Sequence, residues 1–270
     1  MPAASSADLP HALRDGAQFT ERLAGRRPAV FLDYDGTLTP IVDRPEDAVI
    51  SDSMREAVRE LAQRCPVCVV SGRDRLIVQQ LMGIDDLVVA GSHGFDIWDP
   101  KTGTVRHDAA TGFEDLLTEV TGQLRVGVEP IEGAIVEPKH ASVAVHFRLA
   151  AEQDRPLVKA VVAALLADHP DQLKVTAGKM VCEIQPKVDW HKGKAVLHLL
   201  HVLDLDSDHV VPVYLGDDVT DEDAFRALAD RGIGIFVAAA GDLHAGRTTT
   251  AHFVLDSTGE VERFLRTLAR

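Results

Sequence analysis

The stretch Ala29-Val30-Phe31-Leu32-Asp33-Tyr34-Asp35-Gly36-Thr37 decides the fold of this chain. A short apolar run closed by turn residues reads as a buried strand. In extended chain, side chains two apart point the same way, so Asp33 and Asp35 converge just past that strand. Gly36 lets the backbone turn tightly, and neighbouring N–H groups can face an anion. Two carboxylates beside a cradle of amides suit phosphoryl transfer through a covalent aspartyl phosphate. Carboxylates repel a phosphate dianion, so a cation is required. Mg²⁺, which takes oxygen ligands at about 2.0–2.1 Å, is the natural choice.

Working outward, further apolar runs stand at 66–70, 87–90, 210–215, 232–237 and 252–255. Between and after them lie helical patterns over 52–64, 74–82 and 221–229, and a last one from Gly259. Ser51 or Asp52 is placed to cap the first of these. The alternation predicts an α/β fold, a parallel sheet wrapped by helices. Polar segments follow the strands at their carboxyl ends, where open α/β sheets bind ligands. The middle breaks the rhythm. Two hairpin patterns, 131–148 and 173–186, alternate with helical patterns over 111–124 and 153–168. We read residues 109–186 as an α+β domain inserted into a core made of 1–108 and 187–270.

The strand ends supply the remaining candidates. Gly216-Asp217-Asp218 and Asp221 bring three more carboxylates, a cluster that calls for a compensating cation. Ser71 can donate to a phosphoryl oxygen. Lys192, at the start of a helix, can bring a point charge to the transferring group. Each has a bland alternative. Asp-x-Asp-Gly-Thr can be a turn, and an acidic turn can simply open a helix. Ser71-Gly72 means little alone, and a single lysine is usually solvated. The order of these pieces along strand ends of one sheet carries the functional reading.

Composition narrows the classes. The 270 residues are 46% hydrophobic and 26% charged, a soluble globular balance. A net charge of −14 argues against a nucleic-acid groove. No apolar run reaches the ~20 residues that span a bilayer. The amino-terminal residues do not read as a secretion signal, so a cytoplasmic location is expected. Cys65, Cys68 and Cys182 are an odd number that does not suggest a disulfide framework. Cys65 and Cys68 form C-x-x-C, but it runs into an apolar strand where the redox reading wants a helix start. It also lacks the second pair that zinc wants, so they read as buried strand cysteines. The histidines show no zinc spacing.

Together these residues resemble the haloacid dehalogenase superfamily, with DYDGT, Ser71, Lys192 and GDDVTD as its four motifs. The resemblance implies a Rossmann-like parallel sheet core with an inserted α+β cap that selects the substrate. It implies Asp33 as nucleophile and Asp35 as general acid and base, with Ser71 and Lys192 on the phosphoryl group. It implies Mg²⁺ held by Asp33, the Asp35 backbone carbonyl and Asp217, with Asp218 and Asp221 acting through water or through Lys192. A narrower resemblance, to trehalose-6-phosphate phosphatases, rests on FLDYDGTL, VSGRD, GSHG, the E-x-K near S-x-x-x-H-F-R, and G-K-x-x-x-E-I-x-P before W-x-K-G-K-A. The matching residues are Glu137, Lys139, Ser142, His146, Arg148, Lys179 and Glu183. Of these, Glu137, Lys139, Arg148 and Glu183 are implied sugar contacts; a surface salt-bridge cluster is the alternative. Glu137 and Lys139 are expected on one side of a strand, with Arg148 on its partner. Gly72, Arg73 and His93 join the substrate-binding candidates, although a histidine at such a turn is more often structural. The expectation is a monomeric Mg²⁺-dependent hydrolase of trehalose 6-phosphate, paired in function with a trehalose-6-phosphate synthase. Another sugar phosphate as substrate, a phosphomutase, and a non-catalytic sugar-phosphate sensor remain open alternatives.

Overall fold

The computed structural model describes residues 4–42, 44–105, 112–178, 180–238 and 247–270. Its elements begin with β1 (Ala4–Ser5), α1 (Gly16–Leu23), β2 (Arg27–Leu32), α2 (Asp52–Ala62), β3 (Val67–Val70), α3 (Arg75–Met82), β4 (Val88–Gly91), β5 (Asp96–Asp99) and β6 (Gly103–Val105). The middle holds α4 (Glu114–Val128), β7 (Ile135–Pro138), β8 (Val143–His146), α5 (Arg155–Asp168), β9 (Leu173–Gly178) and β10 (Val181–Pro186). The chain closes with α6 (Lys192–Val202), β11 (Val210–Gly216), α7 (Glu222–Leu228), β12 (Ile233–Val237), β13 (Thr248–Thr249), β14 (Phe253–Leu255) and α8 (Thr258–Leu268). Two compact units result: one up to Val105 and from His191 onward, the other between them.

In the first unit an eight-stranded sheet runs β14-β12-β11-β2-β3-β4-β5-β6. The first six are parallel, and their apolar runs are buried throughout the centre: Val30, Leu32, Val69, Val213, Leu215 and Ile235 are fully covered. Strands buried on both faces need continuous apolar sequence, so their runs were visible. β5 and β6 extend the sheet antiparallel at one edge. The sequence reading left them out because DIWD and GTV are short and half polar. It also left out α1, whose single buried residue, Phe19, packs edge-on against Phe253 and Phe264. Ser51 caps α2 by accepting from the Met54 N–H at 3.1 Å.

Cys65, Cys68 and Cys182 are free and buried. Burial pushes the Cys65 thiol up to about 11 and the Cys68 thiol to about 12, so neither is a reactive thiolate. No helix among the described residues is long and apolar enough to cross a membrane.

One buried histidine makes the first unit acid-sensitive. His252 is 6% exposed, and its Nδ1 accepts from the Gly234 N–H at 2.9 Å. Burial, then the neighbouring Arg22 charge, push its imidazole down to about 4. In the unfolded chain the ring titrates near ~6.5. The unfolded state therefore binds the extra proton first, and stability falls as pH drops from about 6.5 to about 4, by about 3 kcal/mol over the whole window. Denaturant unfolding at pH 7.5 and 4.5 should show a larger loss for the native protein than for His252→Gln; equal losses would exclude this histidine as the source.

The second unit is a four-stranded antiparallel sheet, ordered β7-β8-β10-β9, packed against α4 and α5. Its core joins Leu117, Val120 and Leu124 from α4, Val158 and Val162 from α5, and Val136, Val143, Val145 and Ile184 from the sheet. Period-2 alternation along β10 buries Cys182 and Ile184 and turns Val181, Glu183 and Gln185 to the other face.

Candidate active site

Asp33 follows the last residue of β2, and its N–H donates to the Leu215 carbonyl of β11 at 2.9 Å. That bond brings the ends of two strands far apart in sequence side by side. The Asp33 carboxylate, 4% exposed, lies 2.9 Å through Oδ1 from Lys192 Nζ. Lys192 opens α6 and is itself buried. Its second partner is Asp221 Oδ1 at 2.7 Å, which also accepts from the Tyr214 hydroxyl at 2.7 Å. Asp221 Oδ2 accepts from the Asp218 N–H at 2.9 Å. Carboxylate oxygens of Asp33, Asp217 and Asp221 all lie within 4.8 Å of one another.

Three acids so close, with one buried ammonium among them, are electrostatically unbalanced. Burial first, then repulsion from Asp221 and Asp217, raise Asp33 well above the ordinary carboxylate range, against the pull of Lys192. Burial and Asp221 push Asp217 up to about 7. For Lys192, burial opposes the charge, but Asp221 and Asp33 outweigh it and hold the ammonium above its usual range.

A cation fits this imbalance. Asp217 Oδ1 is buried without a hydrogen-bond partner among the described residues. Gly36, at φ +74°, makes the room: a Cβ there would lie 2.0 Å from Asp217 Oδ2. Asp221 differs from its neighbours, since both its oxygens are already engaged. The arrangement makes it the anchor of Lys192. The exposed Asp218 forms a capping box with Asp221 at the start of the short helical turn Val219–Asp221. The helix-start alternative for this acidic turn is therefore realised alongside the charge cluster.

A second group, His11, Asp256 and Glu260, also brings ligand atoms together. It does not suit a metal. His11 Nδ1 accepts from the Leu13 and Arg14 N–H groups at 3.2 Å each, which puts the neutral ring's proton on Nε2, facing Glu260 at 2.7 Å. A metal on Nε2 would force that proton onto Nδ1, against two donors. The group ties the amino-terminal segment to the last strand and helix.

Asp35 is held by Arg73, whose Nε and Nη2 donate to its two oxygens at 2.6 Å each. Ser71, 1% exposed, accepts at Oγ from the Arg73 N–H at 3.1 Å. His93 and Ser92 both have left-handed backbones, φ 58° and 50°, which is strained for residues with a side chain. The His93 N–H donates to the Ser71 carbonyl at 2.8 Å. Its ring covers Gly72, where a Cβ would meet it at 2.8 Å. His93 thus shapes the Ser71 turn. Asp33, Lys192, Asp217 and Asp221 form one cluster; Asp35 with Arg73, and Ser71 with Gly72 and His93, form the adjoining loops of the same unit.

The other candidates lie in the second unit. Glu183 on β10 accepts at Oε1 from the Ser142 hydroxyl at 2.8 Å, with Lys139 Nζ 3.5 Å away. Glu137 pairs with His146 at 2.7 Å, and that bond draws its carboxyl below the usual range. Lys139 falls just past β7, where its N–H closes the turn on the Ser142 carbonyl at 2.8 Å. β8 stops at His146, so Arg148 lies beyond the strand expected to carry it, exposed in the following bend. Lys179 is outside the described residues.

Two contributors escaped the sequence reading. Tyr214 carried a signal: a hydroxyl in an otherwise apolar buried strand must find a partner. Arg247 carried none. It donates through Nη1 to the Asp217 carbonyl at 2.6 Å and lies over the Phe236 ring, steadying the acidic turn from outside it.

Residues 31–258 match the trehalose-phosphatase family. The chain belongs to that family. It is 42% identical over 264 residues to a trehalose-phosphate phosphatase of Mycobacterium tuberculosis, covering 97% of this chain and 66% of that one. It is equally similar, 42% over 269 residues, to an uncharacterized glycosyl hydrolase of the same organism, covering 98% of this chain and 20% of the relative. The chain thus spans about a fifth of one of these relatives and just under two thirds of the other. The structure of the carboxyl-terminal domain of the Candida albicans trehalose-6-phosphate phosphatase superposes with a TM-score of 0.72 at 23% identity, covering 100% of this chain and 99% of that one. The trehalose-phosphatase fold here is α/β and haloacid dehalogenase-like, as the strand-end motifs imply.

Proposed function

We propose that this member of the trehalose-phosphatase family is a Mg²⁺-dependent phosphatase of trehalose 6-phosphate that works through an aspartyl phosphate on Asp33. The observation that carries the chemistry is the buried Lys192 bridging Asp33 and Asp221 beside the unpartnered Asp217 oxygen. Asp33 and Asp217 would hold the cation, with the Asp35 backbone carbonyl. Bound Mg²⁺ would neutralise the charge of the phosphoryl group and of the acid cluster. Asp33 attacks phosphorus in line as Asp35 gives a proton to the departing sugar oxygen. Asp35 then takes a proton from the water that opens the aspartyl phosphate. Lys192 stabilises charge on the transferring oxygens, and Ser71 would donate to one of them.

The second unit would supply the sugar contacts. A disaccharide offers hydroxyls and no charge besides its phosphate, and charge-assisted bonds from Glu183 and Lys139 suit it. The test is phosphate release from trehalose 6-phosphate, sucrose 6-phosphate, glucose 6-phosphate and an aryl phosphate, with Mg²⁺ and with chelator. Preference for trehalose 6-phosphate, lost on chelation, is expected. Glu183→Ala should cost trehalose 6-phosphate about 10-fold or more in kcat/KM, the size of one lost charge-assisted bond, and leave the aryl ester nearly unchanged. Equal losses on both would remove Glu183 from the sugar site, and release from another sugar alone would replace the substrate.

A further inference from the structure

We propose that Arg73 is a positioning residue for Asp35, fixing the carboxyl group for proton transfer to the leaving oxygen, and is not itself a substrate contact. The inference rests on the phosphatase reading above. Arg73 has three kinds of nitrogen, and each is already committed. Nε and Nη2 form a two-pronged contact with Asp35, and Nη1 donates to the Pro45 carbonyl at 2.6 Å. The guanidinium also lies 5.9 Å from the centroid of the Tyr34 ring. That ring is itself pinned, because the Tyr34 hydroxyl donates to the Ala48 carbonyl at 2.6 Å. The backbone of Arg73 belongs to the Ser71 turn, through its N–H to Ser71 Oγ and its carbonyl to the Ser92 N–H at 2.7 Å.

Three of its five N–H donors are engaged within the protein. What it does is set the plane and position of the Asp35 carboxyl. A planar fork fixes a carboxylate in two dimensions, where a lysine would fix only a point. The fork uses one lone pair on each oxygen. A second lone pair on each remains to take a proton from water and return it to a leaving oxygen. Proton transfer needs heavy atoms at about 2.6–3.2 Å, so a small rotation of Asp35 would interrupt it.

The consequence is a dependence on the leaving group. Esters that expel a weakly basic phenolate need little help from an acid, while esters of alcohols and basic phenols need it most. The experiment compares the native protein with Arg73→Lys and Arg73→Met, in saturating Mg²⁺, on aryl phosphates of graded phenol pKa and on the preferred sugar phosphate. First-turnover release of the alcohol or phenol isolates the step in which Asp35 donates. The expected result is a loss of about 10²-fold for the most basic leaving groups, the usual size of a general-acid contribution, and less than about 3-fold for the most acidic phenols. Arg73→Lys should recover little. A rise in KM shared by all esters, with kcat unchanged, would make Arg73 a phosphate contact and overturn the proposal. A uniform fall in kcat across the series would show a structural role only and also overturn it. If the native protein turns over none of the esters, the phosphatase reading itself fails, and this proposal with it.

Discussion

Asp33→Asn is expected to release no phosphate above background from any ester, a loss of about 10⁴-fold or more, and to remain folded. The amide is nearly isosteric but cannot attack phosphorus, so on the proposed mechanism the first covalent step would be lost. The fold should not suffer, because Asp33 is one of three mutually repelling acids in a buried cluster. Neutralising it relieves repulsion on Asp217 and Asp221 at the cost of one contact to Lys192. In chelator, the thermal midpoint of Asp33→Asn is therefore expected at or above that of the native protein. Phosphate release and a melting curve on the same preparation check both halves. Retained turnover in the pure variant would move the nucleophile elsewhere. A large drop in midpoint would mean that Asp33 is chiefly a structural partner of Lys192.

Lys192→Met is expected to have the larger effect on stability. Lys192 is 3% exposed and is the ammonium between Asp33 and Asp221. Its removal leaves Asp221, 0% exposed, with the Tyr214 hydroxyl and the Asp218 N–H as its remaining partners among the described residues. Breaking a buried pair from one side costs about 3–5 kcal/mol, and turnover should be lost as well. The double variant Lys192→Met with Asp221→Asn removes both charges and should recover most of the stability while staying inactive. Denaturant unfolding of the single and double variants measures the first claim, and phosphate release the second. Failure of Asp221→Asn to recover stability would mean that the loss comes from packing around α6.

The contrast between Asp217 and Asp221 shows how far the sequence could be read. That GDDVTD follows a strand was visible from the apolar run before it and the helical pattern after it. Which of its acids faces outward, which holds Lys192 and which keeps an open oxygen depends on the sharp turn of chain and on Tyr214, and no spacing rule contains that. The parallel strands were legible because burial on both faces demands unbroken apolar runs. β5 and β6 lie at the sheet edge, where that demand lapses, and their sequences look like turns. In the second unit the hairpin pattern put Glu183 on a strand, whereas Lys139, expected on one strand with Glu137, falls in the turn after β7. The pairing of Glu137 with His146, and the place of Arg148 past the strand, follow from where β7 and β8 stop. Strand ends are set by hydrogen bonding with the neighbouring strand, which one strand's own sequence does not record. Arg73 was legible as a neighbour of Ser71; its commitment to Asp35 is a tertiary fact.

The position of β2 between β3 and β11 has a consequence for synthesis. β2 and β3 are complete early, but the partner for the other edge of β2 begins only at Val210. At ordinary rates of translation the ribosome needs roughly 10–40 s to cover that distance. Throughout that time the strand leading to Asp33, with Val30, Phe31 and Leu32, presents unsatisfied backbone and apolar side chains to water or to any chaperone at the tunnel exit. Bare edges of this kind recruit other chains. Truncated products that stop before Val210 should accumulate as aggregates, whereas a nascent chain that reaches Gly216 can close its sheet and sequester the edge.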